Sequence, residues 1–295
     1  MEFRTLRAFV EVIRQGGFSQ AAKAVFATQS TVSKAVKQLE DEIGMPLLDR
    51  TGYRARLTAA GEIVYPRAIR LLAERDNLMA ELQELRGLKR GTLRLGVPPV
   101  GSATVFAPWF ATYRKRYPGI DVRLSEHGAD RLGEALHSGE IEIGAGLLPT
   151  TEEFDYQAVR REPLMVLVPE AHPFARREFV DFVALRDTPF VLYGEGFAIN
   201  RIVADACQRH GFEPEVVARS SSVDFIVELV GAGLGIAFLP RMLADEKHRA
   251  GVKPVLLAEP DMEWHLAMIW RRDAYLSHAA KAWLELIREA AETVP

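Results

Sequence analysis

The stretch Phe18 to Gly44, FSQAAKAVFATQSTVSKAVKQLEDEIG, leaves the least freedom to the fold. It reads as two short helices joined by a tight turn. Ser19 is the expected N-cap of the first helix, which runs to about Val25, and Phe26 and Ala27 fill the turn. Thr28 caps a second helix from Gln29 to about Ile43. Its apolar residues, Val32, Ala35, Val36, Leu39 and Ile43, fall at i, i+3, i+4, i+7 and i+11, one stripe of a helix. The other face carries Gln29, Ser30, Ser33, Lys34 and Lys37, with no acid before Glu40. Small polar and basic side chains of this kind suit a groove lined by base edges and phosphates. Glu40, Asp41 and Glu42 are expected to face away from phosphate or to meet other residues.

The motifs sit in register with a known pattern. Phe18-Ser19, Ala21-Ala22, Thr28-Gln29, Ser33-Lys34, Gln38-Leu39-Glu40 and Gly44 resemble the winged helix-turn-helix of the LysR-type transcriptional regulators. The resemblance continues along the whole chain and is most specific in this head. One departure is Ser30, where the family often has Pro. It removes a helix-start residue and adds a hydroxyl.

Around this pair, Thr5 to about Gln15 forms a bracing helix whose stripe is Leu6, Phe9, Val10 and Ile13, ended by Gly16-Gly17. After it, Leu47-Leu48 and Tyr53 to Leu57 read as two short strands about a turn. This is a wing that offers Arg50, Arg54 and Arg56 to phosphates or a narrow minor groove. Thr58 caps a long helix from Ala59 to about Arg86. Val64, Leu71, Leu78 and Leu85 recur every seven residues, although Arg67, Glu74 and Glu81 spoil the second row of a seam. Pro66 lies inside the helix and should kink or interrupt it. The resemblance makes this linker helix a dimer contact; packing on its own chain is the alternative. Gly87 to Gly91 is the hinge.

From Thr92 strands alternate with helices: a strand to Val97, a helix Ala103–Tyr117, a strand Ile120–Glu126, a helix Ala129–Ser138 and a strand Ile141–Gly146. This βαβαβ order implies a parallel sheet covered by helices. Tyr156–Arg161 is expected to cross to a second lobe. That lobe holds strands at Met165–Val168, Phe190–Tyr193, Val216–Arg219 and Ile236–Leu239, and helices at Ile199–His210 and Val223–Ala232. Trp264–Trp270 returns to the first lobe, and Asp273–Ala291 is the closing helix. The fold class is therefore α/β: an N-terminal winged helix-turn-helix, a long linker helix, and a two-lobe α/β effector domain that resembles the periplasmic-binding-protein type. The expected domains are 1–58 for DNA binding, 59–90 for linker and hinge, and 91–295 for regulation. Within the last, lobe 1 is 91–161 with 266–295, and lobe 2 is 162–265.

Charge agrees with this division. The net charge of −3 hides a head, residues 1–58, with nine basic and six acidic residues, and a body with 28 basic and 34 acidic residues. A basic head on an acidic body is the asymmetry expected of a DNA-binding regulator. The start MEFRTLRAFVEVIRQ carries charges throughout, so no secretory leader is expected, and no apolar run is long enough to span a bilayer. A single cysteine, Cys207, allows no internal disulfide and suits a reducing cytoplasm.

In open α/β lobes ligands bind beyond the carboxyl ends of strands, near helix N-termini. Three segments qualify: Pro98 to Thr104, Gly194 to Asn200, and Ser220-Ser221-Ser222. By resemblance to the family's inducer cleft, Gly101, Ser102, Phe197 and Ser221 are nominated, with Gly128 and Leu147 at later strand ends. Helix N-termini favour an anion, so a small carboxylate is expected. Each serine has the plainer reading of an N-cap, and Ser222 is expected to be that alone.

An enzyme reading finds little support. Gly231-Ala232-Gly233-Leu234-Gly235 follows a helix and precedes a strand, the reverse of a dinucleotide loop. Cys207 lies among alanines on a helix, and the seven histidines show no metal-ligand spacing. No catalytic residue, metal or cofactor is expected. The expected partners are an operator in double-stranded DNA, a small effector, and further copies of the chain in a homodimer or homotetramer, with no membrane. Two other classes share parts of this pattern. A transported-solute binding protein has the two lobes but needs a leader and lacks the head. A metabolic α/β enzyme would turn over substrate with its head disabled.

Overall fold

Thr28 does what its sequence position requires. In the computed structural model its Oγ1 accepts the amide of Thr31 at 3.2 Å and starts α3 (Gln29–Ile43), which ends at a left-handed Gly44. The structure describes residues 1–49, 55–85, 91–246, 250–259, 261–272 and 274–292. Two units are compact in themselves. One is Met1–Leu88 with His137–Glu140, and the other gathers Lys89–Leu136 and Ile141–Pro295.

In the first unit, α1 (Phe3–Arg14) and α2 (Phe18–Ala24) pack with α3. Leu6, Phe9, Val10 and Val12 of α1 and Ala21 and Ala22 of α2 are buried with Val32, Ala35, Val36 and Leu39 of α3. Burying a side chain of the Val or Leu size contributes about 1.5–3 kcal/mol, so this stripe is the main fastening of the head. Ser19 does not cap α2. The cap position is Gly17, and the Ser19 hydroxyl instead donates to Gln29 Oε1 at 3.1 Å, because the packed pair brings the starts of α2 and α3 together.

Strands β1 (Leu48–Asp49) and β2 (Arg56–Leu57) pair antiparallel, Leu48 opposite Leu57. Glu40 explains the entry to this wing: its Oε1 accepts the amides of Leu47 and Leu48 at 2.9 and 3.1 Å. Helix α4 (Ala59–Leu85) follows, with Thr58 Oγ1 accepting the amide of Gly61 at 3.0 Å. Its helical course runs through Pro66 without a break.

The second unit begins with β3 (Gly91–Val97), then one π-helical turn (Ser102–Phe106) and α5 (Ala107–Arg116). The single helix expected from Ala103 is thus split. Pro108, which has no N–H to donate, sits in the first turn of α5. Next come β4 (Ile120–Glu126), α6 (Ala129–Ser138) and β5 (Ile143–Leu147). Strand β3 lies between β4 and β5, parallel to both.

The expected crossing at Tyr156–Arg161 and the strand at Met165–Val168 are one element. β6 runs from Phe154 to Pro169. Its first half pairs with β12 (Glu263–Arg271), which also pairs with β5. Its second half pairs on either side with β10 (Ala237–Pro240) and β11 (Val252–Leu257). The chain between supplies β7 (Phe179–Val180) parallel to β11, the two-stranded parallel β8 (Phe190–Tyr193) and β9 (Val216–Ser220), and helices α7 (Ala198–Arg209), α8 (Val223–Gly231) and α9 (Arg241–Glu246). Strands β7 and β11 and helix α9 were not read from the sequence.

The closing helix α10 (His278–Glu292) starts later than the expected Asp273. Ser277 is its cap, with Oγ accepting the amide of Ala280 at 3.1 Å. The Ser277 amide and hydroxyl both donate to the buried carboxylate of Glu142, the hydroxyl at 3.0 Å. Tyr113 donates its hydroxyl to Ala279 O at 2.7 Å and sets its ring edge-on to Trp283, which fastens α10 over α5.

Candidate functional site

Two places carry chemistry, one in each unit. The first is the outer face of α3. With its apolar stripe buried, the helix presents Gln29, Ser30, Lys34 and Lys37 to solvent and Ser33 half-exposed. Ser30 Oγ lies 2.9 Å from Thr28 Oγ1. Gln29 has its side-chain oxygen on the Ser19 hydroxyl, which leaves its amide N–H groups to face outward as donors. Arg56, on β2, is exposed in the wing beside this helix. Arg50 and Arg54, also expected at this surface, lie outside the described residues. Such a face offers donors and positive charge over a short polar surface, which is what base edges and phosphates accept.

The second place is an apolar cavity of about 30 Å³ between the two halves of the second unit. Gly128, Leu147 and Phe197 line it, together with Pro98, Pro99, Ala145 and Trp264. Three of the six nominated residues are thereby brought together. Gly101 stands behind them. Its backbone is left-handed at φ +86, and a Cβ there would fall 3.0 Å from the Trp264 ring, so only glycine lets the indole close the back of the cavity. Ser102 and Ser221 do not line it. The Ser102 hydroxyl donates to Glu126 Oε1 at 3.0 Å, and Ser221 is exposed beside Ser222, which caps α8 as expected. Residue type at a strand end was legible, but which way each side chain turns was not.

The loop that carries Phe197 is stapled by Asn200. Its side-chain amide donates to Tyr193 O and Gly194 O and accepts the Tyr193 amide, all within 3.1 Å. The Phe197 ring stacks on Tyr193, with centroids 5.3 Å apart and planes 13° apart. Phe197 is also the residue before α7, and as a hydrocarbon it cannot cap the helix. Hydrogen bonds between described residues close the cleft. Ala129 N donates to Gly196 O at 2.9 Å, and Thr104 Oγ1 donates to Glu246 Oε2 at 2.6 Å.

Among the described residues, no three His, Cys, Asp or Glu side chains are placed to hold a metal ion. Cys207 is buried, and burial pushes its thiol up to about 11, which leaves almost no thiolate at neutral pH. No described helix is long and apolar enough to cross a membrane.

Comparison with known proteins decides the family. Residues 3–62 match the bacterial regulatory helix-turn-helix protein, lysR family, and residues 86–292 match the LysR substrate binding domain. The chain belongs to the LysR family. It is 35% identical over 286 residues to the HTH-type transcriptional regulator YwbI of Bacillus subtilis (strain 168), covering 97% of this chain and 95% of that one. A full-length OxyR variant from Pseudomonas aeruginosa superposes with a TM-score of 0.77 at 25% identity, covering 99% and 95% of the two chains. Full-length CbnR complexed with its target DNA shares the fold, with a TM-score of 0.68 at 21% identity over 99% of this chain and 100% of that one. This LysR-type protein is a DNA-binding transcriptional regulator with an effector-binding domain, and not an enzyme.

Proposed function

We propose that α3 reads an operator through Gln29, Ser30, Ser33 and Lys34, while Lys37 and the wing arginines Arg50, Arg54 and Arg56 hold the phosphates. The observation that carries this reading is the exposed polar and basic face of α3, set over a stripe whose burial leaves it one orientation. Linker helices pair in a homodimer or homotetramer: Leu71, Leu78, Met79 and Leu82 of α4 are each more than 40% exposed and recur on one side of the helix. The protein works in the cytoplasm.

The effector is a small molecule with an apolar body and at most one carboxylate. Among the described residues no charged side chain lines the cavity, so a single anionic group would meet main-chain N–H groups at the starts of α6 and α7. The cavity has room for about one or two waters, so the lobes must part to admit a ligand. Ligand that binds the parted and closed forms unequally shifts their populations and changes the spacing or bend of heads on DNA.

The test is binding of the full chain to a duplex selected from a random-sequence library and to unselected duplex, over a salt series. Gln29→Ala and Lys34→Ala each lower specific affinity by about 1–3 kcal/mol and lower nonspecific affinity less. Arg56→Ala weakens both duplexes alike and flattens the salt slope by about 0.9. Equal losses on both duplexes for Gln29→Ala would remove its base-reading role.

A further inference from the structure

Phe26, in the turn between α2 and α3, combines two features that folding alone does not explain. Its backbone is left-handed at φ +54, a conformation that bulky residues rarely adopt. Its side chain is 98% exposed. Glycine would hold this turn without strain, and a polar residue would suit the water around it. The turn is nonetheless well fixed. Phe26 N donates to Lys23 O at 3.3 Å and Ala27 N to Ala22 O at 2.9 Å, while Val25 and Ala27 on either side pack against the core of the head. The ring is therefore a firmly based apolar projection. It stands three residues before Gln29, at the end of α3 where Gln29 and Ser30 are exposed, and exposed Lys23 lies three residues before it. A strained and solvated aromatic beside a binding face points to contact made only in the complex.

We propose that Phe26 is a DNA-contact residue that lays its ring on an apolar part of the duplex next to the base pair read by Gln29. Duplex DNA offers two such surfaces, the 5-methyl group of thymine in the major groove and the C–H face of deoxyribose. The inference rests on the assignment of α3 as the DNA-reading helix. Binding covers the ring, and the apolar area removed from water favours the complex.

The test uses the full chain, a duplex it selects from a random-sequence library, and unselected duplex. Phe26→Gly suits the left-handed backbone, so its thermal unfolding should stay at or close to the parent's, and it binds the selected duplex about tenfold more weakly. A thymine contact shows as a matching loss when one thymine is replaced by uracil, with Phe26→Gly insensitive to that replacement. A deoxyribose contact shows as an equal loss on both duplexes with no effect of uracil. Parent-like affinity of Phe26→Gly on both duplexes overturns the proposal, whatever Gln29→Ala does. Unchanged preference of Gln29→Ala, with a loss at Phe26, removes the role of Gln29 and keeps that of Phe26.

Discussion

Gly128 and Gly196 meet backbone to backbone across the cleft: a Cβ on Gly128 would lie 2.9 Å from the carbonyl oxygen of Gly196. The same oxygen accepts the amide of Ala129. The closed cleft therefore depends on a residue without a side chain at position 128, because the obstacle is a main-chain oxygen that cannot swing aside.

Gly128→Val should hold the lobes apart while each keeps its own core. Small-angle scattering is expected to give a larger radius of gyration than the parent's, with little change in thermal unfolding. Gly128→Ala should show a smaller shift of the same sign. Scattering identical to the parent's would mean that the contact does not govern closure.

Glu40 holds the wing to the end of α3 by two backbone amides. Glu40→Ala leaves both amides without that acceptor, at a cost of about 1–3 kcal/mol each where they are buried. The variant should unfold its head at lower temperature and bind all DNA more weakly. Glu40→Gln keeps an acceptor and should lose less.

The exposed stripe of α4 predicts a concentration-dependent assembly. Leu71→Glu with Leu78→Glu places charge on that stripe, and sedimentation should shift toward the monomer. The head's own core does not include either side chain, so its folding should be retained.

Glu142 is buried, and desolvation raises its carboxyl above its ordinary value near 4.5, against the opposing pull of the Ser277 amide and hydroxyl and of Arg94 and Lys281. A carboxyl whose folded value is raised binds its proton more tightly in the folded state. Its contribution to stability is fully present below the unfolded value and is lost as pH rises through the folded one. Glu142→Gln should flatten the fall in unfolding temperature as pH rises from about 4.5. An unchanged pH profile would show that the carboxyl does not titrate in that range.

How much of this was legible depended on how local the cause was. The bounds of α3 were readable because Thr28, the 3.6-residue stripe and Gly44 act within the helix itself. The continuity of β6 was hidden by the polar run Arg160-Arg161-Glu162-Pro163. That run looks like a break, yet it is where the strand leaves β12 and takes β10 and β11 as neighbours. Asp273 looks as good a cap as Ser277, and the choice rests with Glu142, which lies 135 residues away in sequence. In the cleft, Gly128, Leu147 and Phe197 were legible as strand-end and helix-start positions. Trp264 was missed because its strand read as plain core.

The sequence by itself determined the elements whose signals act over a few residues: the helix pair of the head, its polar face, the long linker helix and the alternation of strands and helices. Those signals are caps, hydrophobic periods and turn residues, and each needs only its neighbours. Tertiary structure alone decided that Ser19 ties two helices together instead of capping one, that Glu40 serves the wing, and that Gly101 gives way to Trp264. It also decided that the cleft is apolar and that Ser102 turns to Glu126. In every one of these the deciding partner is distant in the chain or faces it from another element, and side-chain direction and burial are set by packing.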